Sequence, residues 1–317
     1  MLQQTTVGAV GPYFRQFIDR WPSVQDLAAA SLDDVMRMWA GLGYYRRARA
    51  LHEGAHMICR DHDGRFPPDE AALRQLPGCG PYTAAAVAAI AFDRRANVVD
   101  GNVERVMARL FAVEVPLPQA KRELTTLAAT LLPNARYGDY AQALMDLGAM
   151  VCAPRNPKCG ACPWADVCRG RASGMAESLP RRAAPKTKPV RRAIAFFLTD
   201  ADNRVLLRQR PAKGLLAGMM EVPSSAWREA AMPQLSAVRA EAPLRAAWRL
   251  LSGEVRHSFS HFDLELRVAM ASISRRDIDG RDDAAIRWVS RAKLDGEALP
   301  SVMRKIIRFA AGQRGGS

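Results

Sequence analysis

The sequence predicts an all-α amino-terminal domain followed by an α+β domain, and three observations carry that expectation. Up to about residue 150, apolar residues recur at three and four positions, as in Leu27, Leu32, Val35, Met36 and Trp39, with almost no strict alternation. Four of the six cysteines then crowd into residues 152–168. Beyond Arg192 the pattern changes to short apolar runs and to Phe262, Leu264, Leu266, Val268 and Met270, which alternate strictly.

Within the first part, residues 1–170, aspartate and serine stand at helix starts, and glycine and proline punctuate between helices. From Arg169 to Arg192 the chain is rich in Pro, Ala, Ser and basic residues, with Glu177 its only acid. Residues 171–191 therefore read as a basic linker, either a solvated tether or a segment that lies along phosphates. The second domain, 192–317, holds candidate strands at 193–198, 205–207, 262–270 and 286–289. A closing helix presents Val302, Ile306 and Phe309 on one face. No internal repeat is visible.

The 317 residues suffice for two domains with cores of their own. Lys and Arg number 46 against 32 Asp and Glu, a net charge of +14. That excess favours a polyanionic partner, most simply nucleic acid, because each phosphate contact releases counterions. No apolar run approaches the length of a spanning helix, and no amino-terminal stretch resembles a secretory signal. A soluble cytoplasmic monomer, associated with the nucleoid and with no membrane partner, is the expectation.

Cys59 and Cys79 stand alone. Cys152, Cys159, Cys162 and Cys168 are separated by six, two and five residues. In a reducing compartment such density points to metal ligation rather than to disulfides. The spacing admits a tetrahedral zinc or a four-iron cluster; one short pair flanked by longer arms suits the larger group. Arg155, Lys158 and Arg169 would then be presented rigidly to a phosphate backbone.

Leu76 to Thr83 (LPGCGPYT) lies between two helical patterns. Gly78 and Gly80 in a tight turn permit close backbone approach, and a helix opening behind them offers amides to an anion. An ordinary helix–helix turn has the same glycines. About twenty residues later Asp100 precedes an apolar-periodic helix. It reads first as an N-cap, and a carboxylate so fixed is also placed to stabilise a developing cation.

Met1-Leu-Gln-Gln-Thr5, Gly41 to Arg49 (GLGYYRRAR), Leu76 to Thr83, Val99-Asp-Gly-Asn102, Gln142 to Met150 (QALMDLGAM) and the four-cysteine spacing cover nearly the whole helical part. Together they resemble the helix-hairpin-helix DNA glycosylases that carry an iron–sulfur loop. Within these the chain looks like the adenine DNA glycosylase (MutY) family, which removes adenine mispaired with 8-oxoguanine. The resemblance implies one 4Fe–4S cluster on the four cysteines and double-stranded DNA with adenine mispairs as the partner. It implies a flipped adenine, with Gln4 and Gln3 probing or filling the space left in the duplex. Arg49 falls in a substrate-facing run, Gln142 near the adenine pocket, and Asp100 at the carboxylate that stabilises an oxocarbenium-like sugar. Tyr82 stands where bifunctional relatives carry a lysine that attacks the sugar, which implies base excision without an efficient lyase step.

One departure stands at the amino terminus. The family's general acid is a glutamate two positions before the methionine of the MLQQT run, and here that methionine is Met1. General acid catalysis contributes about a hundredfold to ten-thousandfold. The expectation is a start assigned at an internal methionine of a longer native chain. The alternative is a catalytically impaired protein that binds mismatches or lesions.

The second domain resembles the carboxy-terminal Nudix-like domain of the same family, on Arg208 to Pro211, Gly214 to Pro223 and His257 to Phe262 (HSFSHF). The resemblance makes Phe259, Ser260 and His261 the loop that recognises 8-oxoguanine. A hydrolase of this fold needs a helix bearing clustered glutamates for magnesium. After Gly218 there are only Glu221 and Glu229 ahead of residue 240, so triphosphate hydrolysis is not expected.

Overall fold

Side-chain caps set five of the helix starts among the described residues. Thr6 opens α1 (Val7–Arg20), and Ser23 with Asp26 forms a reciprocal capping box on α2 (Val24–Ala29). Ser31 caps α3 (Leu32–Met38), and Asp69 caps α5 (Glu70–Leu73), which follows α4 (Arg46–Asp61). The computed structural model describes residues 1–2, 5–184, 187–274 and 286–313. The chain divides into two units, Met1–His52 with Thr187–Ser317, and Glu53–Lys186.

In the first unit, Val35, Met36, Trp39, Leu42 and Tyr45 share one buried cluster with Met219 and Ala298. That shared core is why the first helices group with the carboxy-terminal sheet. The sheet comprises β1 (Val190–Thr199), β2 (Val205–Gln209), β3 (Met220–Glu221), β4 (Arg249–Leu250), β5 (Val255–Ser258), β6 (Asp263–Ser272) and β7 (Ile286–Val289). The order is β3-β2-β1-β6-β4, with β5 also on β6 and β7 also on β2.

Its centre is the parallel pair β1 and β6, in register from Val190–Asp263 to Thr199–Ser272. From Ala193 onward β1 is buried, which explains an apolar run in place of alternation. Each fully buried Phe, Ile or Leu there contributes roughly 1.5–3 kcal/mol. A short helix α11 (Leu235–Val238) lies between β3 and β4, and α12 (Ser301–Gly312) buries Val302, Met303, Ile306 and Ala310. The sequence pattern did not register β3, β4 or β5, which are two to four residues long and take their place from neighbours.

The second unit holds the rest of α4, then α5, α6 (Pro81–Phe92), α7 (Gly101–Leu110), α8 (Lys121–Ala129), α9 (Tyr137–Asp146) and α10 (Arg169–Ala172). Seven of the ten residues of α7 are buried, so this is the axis around which the unit packs. A π-helical turn, Leu147–Val151, continues α9 and delivers the chain to Cys152. Much of the stretch read as a linker is docked on this unit. Leu179 is buried, Leu117 N–H donates to the Arg181 carbonyl at 2.8 Å, and Ala183 N–H donates to the Leu117 carbonyl at 3.1 Å. No helix among the described residues is long and apolar enough to cross a membrane.

Helices α6 and α9 approach through Gly138, where an added Cβ would lie 2.7 Å from the Ala89 carbonyl oxygen. Backbone cannot yield there as a flexible side chain would. Gly138→Ala is expected to cost about 1–3 kcal/mol, read as a lower denaturation midpoint with an unchanged slope.

Candidate functional site

The hairpin before α6 is built as its glycines suggest. Gly78 is left-handed at φ 80°, and Cys79 N–H closes the turn on the Leu76 carbonyl at 3.0 Å. Gly80 is the N-cap of α6, without a side-chain cap, and Pro81 occupies the first turn. The positive end of the helix dipole is thus presented beside a turn with no bulky side chain. Burial pushes the Cys79 thiol up from its ordinary value, so it stays protonated near neutrality and is a poor nucleophile.

Tyr82 lies in the first turn of α6, its hydroxyl 3.5 Å from the Met145 sulfur on α9. Burial, and then the nearby Asp100 carboxylate, push its phenol above the usual range. Asp100 is the N-cap of α7. One of its oxygens accepts from the Asn102 and Val103 amides, each at 2.8 Å, and the other accepts from the Asn102 side chain at 3.0 Å. Cap and site are the same geometry: three N–H groups fix the carboxylate, and its second oxygen keeps acceptor capacity.

Gln142, one helical turn before Met145, is exposed and donates to the Gly138 carbonyl of its own helix at 3.1 Å. That is the surface-amide arrangement rather than a pocket contact.

Sequence reading missed Asn102, Arg105 and Arg109, which run from Asp100 toward the cysteines. Asn102 accepts from Arg105 at 2.9 Å. Arg105 in turn donates to the Cys152 carbonyl at 2.8 Å and the Gly148 carbonyl at 2.6 Å. Burial lowers the Arg105 guanidinium from its ordinary value, opposed by the Cys152 thiolate and Asp100. The available signal was a pair of arginines four apart on a helix whose other inner positions are apolar. Such cations must find partners inside the protein.

Cys152, Cys159, Cys162 and Cys168 line one cavity together with Arg109, Lys158 and Arg171. None is in a disulfide. Burial, and then the crowding of the other three thiolates, raise Cys162, opposed by a backbone hydrogen bond near Trp164. A cationic core among them would reverse that sign. Among the described residues no three His, Cys, Asp or Glu converge as a single ion requires. A mononuclear zinc draws four sulfurs to about 2.3 Å from one centre. Thiolates spread around a cavity fit a cluster better.

The other predicted residues lie in the first unit. Phe259 stacks on Phe262 with centroids 4.7 Å apart, meets His257 edge-on at 4.6 Å, and packs against Trp227. Ser260 and His261 are exposed beside this stack. The Ser260 hydroxyl lies 2.9 Å from the Tyr44 hydroxyl, another contact the sequence did not suggest. Tyr44 is left-handed at φ 47° and lies under Arg47, whose guanidinium also donates to the Met1 carbonyl at 2.8 Å. Arg49 donates to the Ala212 carbonyl at 3.3 Å and abuts Gly218. Gln3 and Gln4 lie outside the described residues.

No Nudix-type metal site forms among the described residues. Glu221 is 1% exposed and paired with both Arg208 and Arg210, while Glu229 pairs with Arg191. After β3 the chain bridges back to β1 through Ser224 and Arg228 instead of forming a helix.

Three family models match the chain. They describe the HhH-GPD superfamily of base excision DNA repair proteins over residues 1–131, the iron–sulfur binding domain of endonuclease III over 152–168, and the NUDIX domain over 194–309. Human adenine DNA glycosylase is 35% identical over 369 aligned residues, covering 100% of this chain and 68% of its own. The rat protein of the same name is 34% identical over 367, covering 100% and 71%. That of Mycolicibacterium smegmatis is 41% identical over 213, covering 66% and 72%. Among solved structures, a thermostable thymine-DNA glycosylase aligns over 54% of this chain and 80% of its own, with 33% identity and a TM-score of 0.49.

Cys162→Ala removes one corner of the cavity. Its iron content and visible charge-transfer absorption are expected to fall well below those of the unsubstituted protein, measured by iron analysis and spectroscopy. Full iron in the variant would remove Cys162 from the ligand set.

Proposed function

The chain belongs to the adenine DNA glycosylase family, and from that premise we propose that it excises adenine mispaired with 8-oxoguanine or guanine in double-stranded DNA, without cutting the strand. It is a DNA N-glycosylase of base-excision repair, and its cofactor is a 4Fe–4S cluster. The proposal assigns that cluster to Cys152, Cys159, Cys162 and Cys168, where it supplies a rigid, charged scaffold for the loop.

The observation that carries the reading is the Asp100 carboxylate, held by three N–H groups beside Tyr82. Cleavage of the glycosidic bond leaves positive charge on the sugar. A fixed carboxylate lowers the energy of that charge without reorganising as it forms. Tyr82 holds its proton near neutrality and has no amine, so it forms no Schiff base and water takes the sugar carbon. Protonation of the leaving adenine calls for a separate general acid. Asp100 is needed as the anion and does not double as that acid. The hairpin of Gly78 and Gly80 supports the reading as a phosphate-binding turn. Phe259, Ser260 and His261 form an exposed polar tip on an aromatic base, suited to a lesion edge.

Single-turnover assays test this. Adenine is expected to leave duplexes opposite 8-oxoguanine and guanine and to remain in A:T pairs; retention in both mispairs overturns the activity. Asp100→Asn is expected to slow release by about 10²–10³ with duplex affinity nearly unchanged.

A second outcome concerns the loop. The double variant Phe259→Ala, Ser260→Ala should lose preference for 8-oxoguanine over guanine opposite adenine, measured as the ratio of the two dissociation constants. An unchanged ratio removes the loop from lesion recognition.

A further inference from the structure

We propose that Arg109 is the buried counter-charge of the iron–sulfur cluster and the latch that fastens residues 175–183 beside it. The proposal rests on the assignment of the cluster to the four cysteines. Arg109 is 2% exposed, and every hydrogen bond of its side chain ends on a carbonyl or on sulfur. It makes no ion pair with a carboxylate among the described residues.

A guanidinium keeps its charge, and burying one costs far more than carbonyl dipoles alone return. The missing anion is the group its own contacts point to. One terminal nitrogen donates to the Cys152 sulfur at 3.3 Å, and the side chain lines the cavity shared by all four cysteines. Four thiolates around an iron–sulfide core carry net negative charge. Lys158 and Arg171 line the same cavity but are exposed, and Arg171 already faces Asp166 at 3.4 Å. Of the three cations that line this cavity, Arg109 is the one that water does not screen.

The same guanidinium holds both flanks of the cysteine loop. It donates to the carbonyls of Cys152 at 3.2 Å, Ala153 at 2.8 Å and Pro154 at 3.3 Å. From its other edge Nε donates to Leu179 at 2.9 Å. After Cys168 the chain passes Arg109 at Gly170, where an added Cβ would lie 2.5 Å from the Arg109 carbonyl oxygen. Leu179 is 2% exposed and follows within the same strap. Docking of the strap and retention of the cluster therefore depend on one side chain. A cation hydrogen-bonded to a ligand sulfur also favours the more reduced cluster, so its removal lowers the midpoint potential.

The test compares the wild-type holoprotein with Arg109→Met and Arg109→Lys. The readouts are iron content, midpoint potential, and tryptic cleavage at Arg181 and Arg182, at the strap's end. Lysine supplies charge without the planar fork. Arg109→Lys is expected to retain iron and a near-wild-type potential, and Arg109→Met to lose iron or show a lower potential. In both, cleavage of the strap should rise about tenfold or more. If the two variants match each other in iron and potential, whether both loaded or both empty, the counter-charge role is overturned. Wild-type cleavage rates in both overturn the latch. Wild-type protein without iron instead sinks the cluster assignment, and this proposal with it.

Discussion

Two guanidiniums buried in α7 are the constraint on which the second unit depends. Arg105 and Arg109 sit four residues apart on a helix that buries seven of its ten residues. Interior cations must be satisfied, and the satisfaction here comes from the chain around the cysteines: Gly148, Cys152, Ala153, Pro154 and Leu179. The helix that Asp100 caps is thus the helix that holds the cysteine loop. Loop and carboxylate are linked through one side chain, because Asn102 bonds Asp100 with its amide and Arg105 with its carbonyl. An asparagine with both ends engaged has a single orientation. The other Asp100 oxygen is held by the Asn102 and Val103 amides of α7 itself.

Local signals made the helices and the long strands legible. Ser23 with Asp26, Asp69 and Asp100 are caps that a sequence shows directly, and the alternation of 262–270 became β6 with burial on alternate residues for much of its length. Gly78 was readable because a left-handed turn demands it. The failures have a common origin. β3, β4 and β5 are too short to carry a period and are defined by partners distant in sequence. Tyr44 meets Ser260 across 216 residues of chain, and no local pattern encodes that. The stretch 171–184 looks like a tether by composition. One buried apolar side chain, Leu179, a few backbone bonds and the Arg109 donor to the Leu179 carbonyl dock it.

The carboxy-terminal sheet shows how a fold can outlive a chemistry. A carboxylate that holds magnesium needs free lone pairs facing solvent. Glu221 has neither, since Arg208 and Arg210 occupy it and it is buried. Removing either arginine would leave the buried Glu221 carboxylate with one ion pair in place of two, so the arrangement is costly to undo. The segment that would carry further glutamates runs extended against β1 instead.

What the triad does in place of metal binding follows from its neighbours. Arg210 lies over the Trp227 ring at 5.2 Å, and Trp227 tilts against Phe259 and Phe262. Arg191 covers the Phe262 ring at 4.5 Å, and Lys188 donates to the Phe259 carbonyl at 2.8 Å. A loop of two polar residues has little order of its own, because ordering each residue costs roughly 1–2 kcal/mol. Here Glu221 fixes Arg210, Arg210 fixes Trp227, and the aromatic stack fixes Phe259, so Ser260 is presented from a rigid base. A recognition loop on such a base gives up less entropy when it meets its partner. The buried glutamate therefore bears on recognition through preorganisation, although it touches no part of the loop's polar tip.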